Sequence, residues 1–256
     1  MITTERDGPV AVVIIDRPEA RNALTGAMVA SMAEAFAAFD ADPTVRAVVL
    51  TGRDPAFCAG LDLTDLTRTY DEVAGALPSG TVTGGGSLPR AGKPLIGAVN
   101  GPTVTGGLEL ALGCDFLIAS ERATFADTHA RVGVMPAGGM TIRLPQLIGM
   151  NRARQMSLTG DFVDAATARD WGLVNEVFPH GSLLARASGL ARAIAEIDPD
   201  AVSEMRSMYD TLAFRSDAEA YREEERWSRR WMREHFDPAS FGARREGIIE
   251  RGSAQQ

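Results

Sequence analysis

The chain has 256 residues, 45% of them hydrophobic and 23% charged, with a formal net charge of −8. That length supports a large core, as one big domain or as a domain with an appendage, and the composition is that of an ordinary globular protein. The acidic balance gives no electrostatic support for nucleic-acid binding, although a local basic patch is enough to hold a small anionic ligand.

The two cysteines, Cys58 and Cys114, form neither a CxxC pair nor a metal-spaced set. Both sit among apolar residues and glycines, so they read as buried free thiols. The opening MITTERDGPV lacks the apolar h-region of a signal peptide. No apolar run approaches the ~20 residues needed to cross a bilayer. The expectation is a cytoplasmic protein with no membrane partner.

In chain order, PVAVVIID (9–16) is rich in β-branched residues and predicts a strand. RPEARNALT follows as a loop. Thr25 is placed to cap a helix over about 26–40, in which Met28, Met32, Phe36 and Phe39 recur at helical spacing. VRAVVLTG (45–52) predicts a second strand, DPAFCAG a turn, and LDLTDL the start of a short helix. Residues 75–92, rich in Gly, Ser, Thr and Pro, predict a mobile loop within a continuing domain. PLIGAVNG (94–101) predicts a third strand and GGLELALG the next helix. DFLIAS (115–120) and ATFA (123–126) read as short strands.

GGMTIRLPQLIG and NRARQMSLTG then read as helix, turn, helix, followed by a short helix in DAATARDWG and a strand in LVNEVF (173–178). From about residue 182 the pattern is helical to the end. There Glu225 and Arg229 stand at helical spacing on a solvated face, and Tyr221, Trp227, Trp231 and Phe236 read as a packing stripe. Strands alternating with helices up to about 180, then a helical tail, give an α/β core with a helical C-terminal part. Alternation alone does not choose between a doubly wound sheet and a β-β-α spiral.

The chain echoes itself. CAGLDL (58–63) and TGGLEL (105–110) each follow a predicted strand and each read small-Gly-Leu-acid-Leu. Each delivers the chain through a tight Gly turn into a helix start, where backbone N–H groups are unpaired and carry partial positive charge. Two such ends aimed at one point would form an anion or oxyanion site; two ordinary strand-to-helix turns would give the same pattern. Other machinery is missing. There is no GxxxxGK[ST], no GxGxxG after a strand, no GxSxG elbow and no HExxH. His129, His180 and His235 are too scattered in sequence to suggest a metal site, and none is expected.

These stretches together resemble the enoyl-CoA hydratase/isomerase (crotonase) superfamily. The likeness runs from RPEARNAL (17–24) through AFCAGLDL (56–63), KPLIGAVNGPTVTGGLELALGCD (93–115) and ATFADTHARVGVMPAGGMTIRLPQLIG (123–149) to LTGDFVDAATARDWGLVNEVF (158–178) and the tail. It implies a β-β-α spiral core over 1–180 and a helical C-terminal trimerisation region over 181–256. A homo-trimer or a dimer of trimers is expected. The ligand implied is an acyl-CoA thioester, with coenzyme A as part of the substrate and no separate cofactor.

In the family two backbone N–H groups hold the thioester oxygen; the matching residues here are Leu61 and Gly106. The resemblance also puts Ala23, Ala59, Asp62, Leu63, Thr64 and Gly107 along the CoA and acyl path, and Arg21 near the CoA phosphates. Glu109 matches one of two glutamates that share a water in the hydratases. The position of the second, four residues after the Phe of ATFA, holds His129 instead; Asp127 and Thr128 are near, but the spacing does not put Asp127 at that position. His129 either relays a proton, or lines the pocket while Glu109 works alone, or marks a chain with little hydration activity. The expectation is an enoyl-CoA hydratase; the alternatives are an isomerase using a single acid and a non-catalytic acyl-CoA binder.

Overall fold

Among the described residues nine strands form, most of them from runs of β-branched and small apolar residues: β1 (Ile2–Asp7), β2 (Val10–Ile15), β3 (Ala47–Gly52), β4 (Leu95–Val99), β5 (Thr103–Val104), β6 (Phe116–Ser120), β7 (Thr124–Ala126), β8 (Val163–Asp164) and β9 (Glu176–Phe178). They belong to a computed structural model that describes residues 1–62 and 89–213, with Arg226, Arg230 and Glu234. The helix expected in LDLTDL, residues 75–88 of the expected loop, Leu63, Thr64, His235 and the aromatic stripe of the tail lie outside the described residues. So does the Glu225–Arg229 pair.

A six-stranded sheet runs in the order β1-β2-β3-β4-β6-β9, and a three-stranded sheet in the order β5-β7-β8. Within the large sheet β1 is antiparallel to β2 and every other neighbour is parallel. From β4 onward the chain gives a strand to the large sheet, then one to the small sheet, then a helix. Thus β4 and β5 are followed by α2 (Gly106–Leu112). Then β6 and β7 are followed by α3 (His129–Val132), α4 (Met140–Ile148) and α5 (Met150–Thr159). This repeat is the β-β-α spiral; a doubly wound sheet would not divert every second strand into a separate sheet.

The central strands β2, β3 and β4 are buried at every position because both sheet faces are covered. Val10, Val12, Ile14, Ala47, Val49, Ile96, Ala98 and Ile118 pack against Leu183, Ala187 and Ala191 of helix α7 (Leu183–Ala195). The alternate residues Ala11, Val13, Ile15, Val48, Leu50, Leu95 and Val99 enter the main core with Met28, Met32 and Phe36 of α1 (Gly26–Ala41) and Leu108 of α2. The Thr25 side chain caps α1 by accepting the Met28 N–H at 3.3 Å. Asp164 does the same for α6 (Ala165–Trp171), accepting the Thr167 N–H at 2.7 Å.

β1 has no apolar signature, since Thr4, Glu5, Arg6 and Asp7 face solvent at the sheet edge. It forms because the Gly8-Pro9 turn, with Gly8 at φ +58°, returns the chain into register with β2, Asp7 opposite Val10. Charges along such an edge hinder pairing with a second chain. The strand expected over 173–178 is confined to its second half, Glu176–Phe178, while Leu173 and Val174 turn into the core.

The chain divides into two compact units, Met1–Ser203 and Glu204–Gln256. α8 (Pro199–Leu212) spans the division. In the second unit, Arg230 pairs with Glu204. Among the described residues no helix is long and apolar enough to cross a membrane.

Cys58 and Cys114 are buried and unpaired, as expected. Burial pushes the Cys58 thiol up to about 12 and raises Cys114 as well. A thiolate is the reactive form, so the folded chain is expected to give no reaction with Ellman's reagent at pH 8 and two equivalents of thiol once denatured. Fast reaction of either thiol in the folded chain would contradict this burial.

Candidate active site

Three polypeptide segments meet at the ends of β2, β3 and β4. The loop after β3 is stitched to β5: Cys58 and Phe57 donate to the Pro102 carbonyl at 3.2 and 3.1 Å, and Val104 donates to the Cys58 carbonyl at 2.9 Å. On its other side the loop is held by Leu24, whose N–H donates to Gly60 O and whose carbonyl accepts from Asp62 N, both at 2.8 Å. That ladder uses the groups on either side of Leu61 and leaves out the Leu61 N–H. Gly106 opens α2, where first-turn N–H groups have no helical partner. Neither the Leu61 nor the Gly106 N–H donates to an acceptor among the described residues.

These amides are neighbours. A Cβ added to Gly106 would lie 3.3 Å from Leu61 N, and a Cβ added to Gly60 would lie 3.3 Å from Gly106 N. The two echoing turns are therefore one spatial feature. Thr105, just before Gly106, has φ +54° and ψ −113°, a conformation that a β-branched residue adopts only under restraint. The restraint is present: its N–H donates to Ala126 O at 2.9 Å, its hydroxyl lies 2.6 Å from that of Thr128, and the Thr128 N–H donates to it at 3.1 Å.

The 17–24 loop is fixed by a buried residue that no motif pointed to. The Asn22 side chain is 0% exposed; it accepts the Arg17 N–H at 2.9 Å and donates to Arg53 O and Ala56 O at 2.7 and 2.6 Å. Ala59 N–H donates to Arg21 O at 3.0 Å, so Arg21, Ala23, Ala59, Leu61 and Asp62 lie along one path. Arg17 pairs with Asp62 at 2.6 Å and donates to Ala23 O at 3.1 Å. The Arg21 side chain is exposed.

Glu109, one turn into α2, is buried at 6% exposure. Its Oε1 accepts the Gly138 N–H at 2.7 Å and the Met140 N–H at 3.4 Å. Gly138 allows this approach, since a Cβ there would sit 2.8 Å from the Glu109 side chain. The other oxygen, Oε2, faces His129 Nε2 at 3.6 Å. Behind the ring, His129 Nδ1 lies 2.6 Å from Asp127 Oδ1, which also accepts the His129 backbone N–H at 3.2 Å. His129 is 6% exposed and Asp127 1%.

Burial pushes the Glu109 carboxyl above the usual carboxylate range, against the opposing pull of the Gly138 amide and His129. Burial acts on Asp127 in the same sense, but hydrogen bonds from His129 and Ser157 prevail and hold it below that range. Two buried carboxyls on either side of one imidazole are thus driven apart, the usual basis for separate acid and base roles. Among the described residues no group of three or more His, Cys, Asp or Glu side chains is placed to hold a metal ion.

The enoyl-CoA hydratase/isomerase family model matches residues 5–241. The chain is 39% identical over 204 residues to a probable peroxisomal enoyl-CoA hydratase of Arabidopsis thaliana, covering 80% of this chain and 76% of that protein. It is 40% identical over 194 residues to a probable enoyl-CoA hydratase of Rhizobium meliloti, covering 76% and 75% of the two chains. The solved structure of an enoyl-CoA hydratase from Mycobacterium tuberculosis H37Rv is similar with a TM-score of 0.74 at 44% identity, covering 83% of this chain and 88% of that one. That of an enoyl-CoA hydratase from Bacillus anthracis has a TM-score of 0.85 at 26% identity, covering 96% of each.

The adjacent glycines at 106 and 107 should tolerate substitution differently. A Cβ on Gly107 would fall 2.1 Å from the Cys58 carbonyl oxygen, whereas one on Gly106 meets nothing nearer than 3.3 Å. Gly107→Ala is expected to lower the unfolding free energy by about 2 kcal/mol or more, and Gly106→Ala by less than about 1 kcal/mol. Urea unfolding measures both; equal midpoints for the two variants would contradict the packing described.

Proposed function

The chain belongs to the enoyl-CoA hydratase/isomerase family, and from that premise we propose that it is an enoyl-CoA hydratase that adds water across the double bond of a 2-enoyl-CoA thioester. The observation that carries the reading is a pair of amides, Leu61 and Gly106, that donate to no acceptor among the described residues, beside a helix whose first turns bear a buried carboxyl facing His129.

Water adds its oxygen to C3, and the displaced π electrons run through C2 to the thioester oxygen. The amides of Leu61 and Gly106 meet the charge that develops there, each donor supplying ~3–4 kcal/mol. C2 then takes a proton and the thioester carbonyl re-forms. Glu109 activates the water or moves its proton; a raised carboxyl suits such exchange near neutral pH. His129, at the position that resembles the second glutamate of the hydratases, is the other proton-handling group, with Nε2 3.6 Å from Glu109 Oε2. Ala23, Ala59 and Asp62 border the CoA path, Asp62 held in place by Arg17. The exposed Arg21 is available to CoA phosphates.

The test is hydration of crotonyl-CoA, followed by loss of the absorbance of its conjugated thioester. Turnover by the native chain is expected, and Glu109→Gln should lower kcat by about 10²- to 10⁴-fold with CoA binding nearly intact. The amide oxygen of Gln can still accept from Gly138. Turnover that survives the substitution would remove Glu109 from the mechanism. Activity on 3-enoyl substrates alone would make the chain an isomerase, and tight CoA binding with neither activity would make it a binding protein.

A further inference from the structure

We propose that Asp127 is a positioning residue: bonded to His129 Nδ1, it presents His129 Nε2 to Glu109 and makes the two a couple that carries one exchangeable proton. The inference rests on the acid–base role proposed for Glu109 and His129 and names what directs it.

Asp127 Oδ1 accepts two donors, the His129 backbone N–H at 3.2 Å and the ring nitrogen Nδ1 at 2.6 Å. A carboxylate can only accept, so the proton of that short contact belongs to Nδ1. A neutral ring held this way has a bare Nε2, the atom turned to Glu109 Oε2 at 3.6 Å. That separation is too long for a hydrogen bond, but it lets one small molecule touch both atoms. When Nε2 takes a proton, the anion behind the ring stabilises the imidazolium. Asp127 stays available as an anion because His129 and Ser157 hydrogen bonds outweigh its burial.

Among the described residues, the charged groups paired with the ring are Asp127 behind it and Glu109 from α2 in front of it. From α5 the neighbour is the Ser157 hydroxyl on Asp127. Arg131, on the same short helix as His129, is directed to the Thr159 carbonyl and Asp161.

The proton count closes. An O–H bond of water breaks as the C3–O bond forms, and that proton goes to whichever atom of the couple is bare. C2 takes the proton held by the other atom. The couple begins and ends each turnover with one proton, so both a second proton and the loss of the last one stop it. The kcat profile is then bell-shaped.

Asp127→Asn removes the anion and makes the imidazolium less stable. Its kcat is expected to fall about 10²-fold with KM nearly unchanged, and the alkaline limb of kcat to move to lower pH by about one unit or more. A uniform loss of activity at every pH, with the limb in place, would assign Asp127 a structural role only and overturn the proposal.

Because that variant is changed at a buried position, imidazole ¹⁵N NMR of the native chain gives a second readout that needs neither substitution of Asp127 nor substrate. The His129 signals are identified by their loss in His129→Gln. The neutral ring is expected to carry its proton on Nδ1; a ring protonated on Nε2 would overturn the proposal. A native chain that fails to hydrate crotonyl-CoA yet shows the Nδ1–H ring would contradict the hydratase reading and leave the role of Asp127 supported.

Discussion

Residues 58–61 lie with their backbone directly against that of 103–107, and the site depends on that approach. It is possible because Gly60, Gly106 and Gly107 have no side chains to hold the segments apart; at Gly107 a methyl group would overlap the Cys58 carbonyl. The parallel strands β3 and β4 deliver both segments to the same end of the sheet. The Cys58–Thr103 bridge then fixes their register, and the Leu24–Leu61 bridge adds the 17–24 loop. What remains is a pair of adjacent N–H groups that the ladder does not use. Thr105 bears the cost of that arrangement in its φ of +54°, and its hydroxyl contact with Thr128 ties the Gly106 turn to the segment carrying Asp127 and His129.

Beside the amides, the polar groups are buried but not wasted. An unpaired buried carboxylate costs several kcal/mol, and here each has partners: Glu109 has the Gly138 amide, and Asp127 has His129 and Ser157. The partners do not compensate equally. Glu109 stays raised while Asp127 is lowered, so the imidazole stands between a carboxyl that readily holds a proton and one that readily gives it up. In the proposed mechanism that inequality is what lets His129 stand where the hydratase pattern, as the resemblance implies, has a second glutamate.

Much of this was legible from residue order. β2, β3 and β4 follow from apolar runs and α1 from a cap and a helical stripe, while Glu109 came with the family resemblance. The meeting of His129 with Glu109 was implied by the family resemblance, which places the second acid four residues after Phe125. What the sequence hid was long-range or carried by backbone. β1 is polar, and only its turn and its partner make it a strand. Arg17 finds Asp62 across a fold that charge pattern does not reveal. Gly138 matters through its N–H and its missing side chain, neither of which a residue type advertises. Asp127 was set aside because its spacing does not reach the position of the second acid; its effect is through the ring two residues on. Leu61 shows the reverse: its side chain carries no signal, and only the family resemblance pointed to its amide.

The most direct trial of the account is a crystal structure of the chain with a non-hydrolysable 2-enoyl-CoA analogue. The thioester carbonyl oxygen is expected within ~2.7–3.1 Å of both the Leu61 and Gly106 nitrogens, with the C2–C3 bond facing Glu109 and His129. A carbonyl that engages neither amide, or an acyl chain that leaves Glu109 on the far side of the protein from C2 and C3, would contradict it.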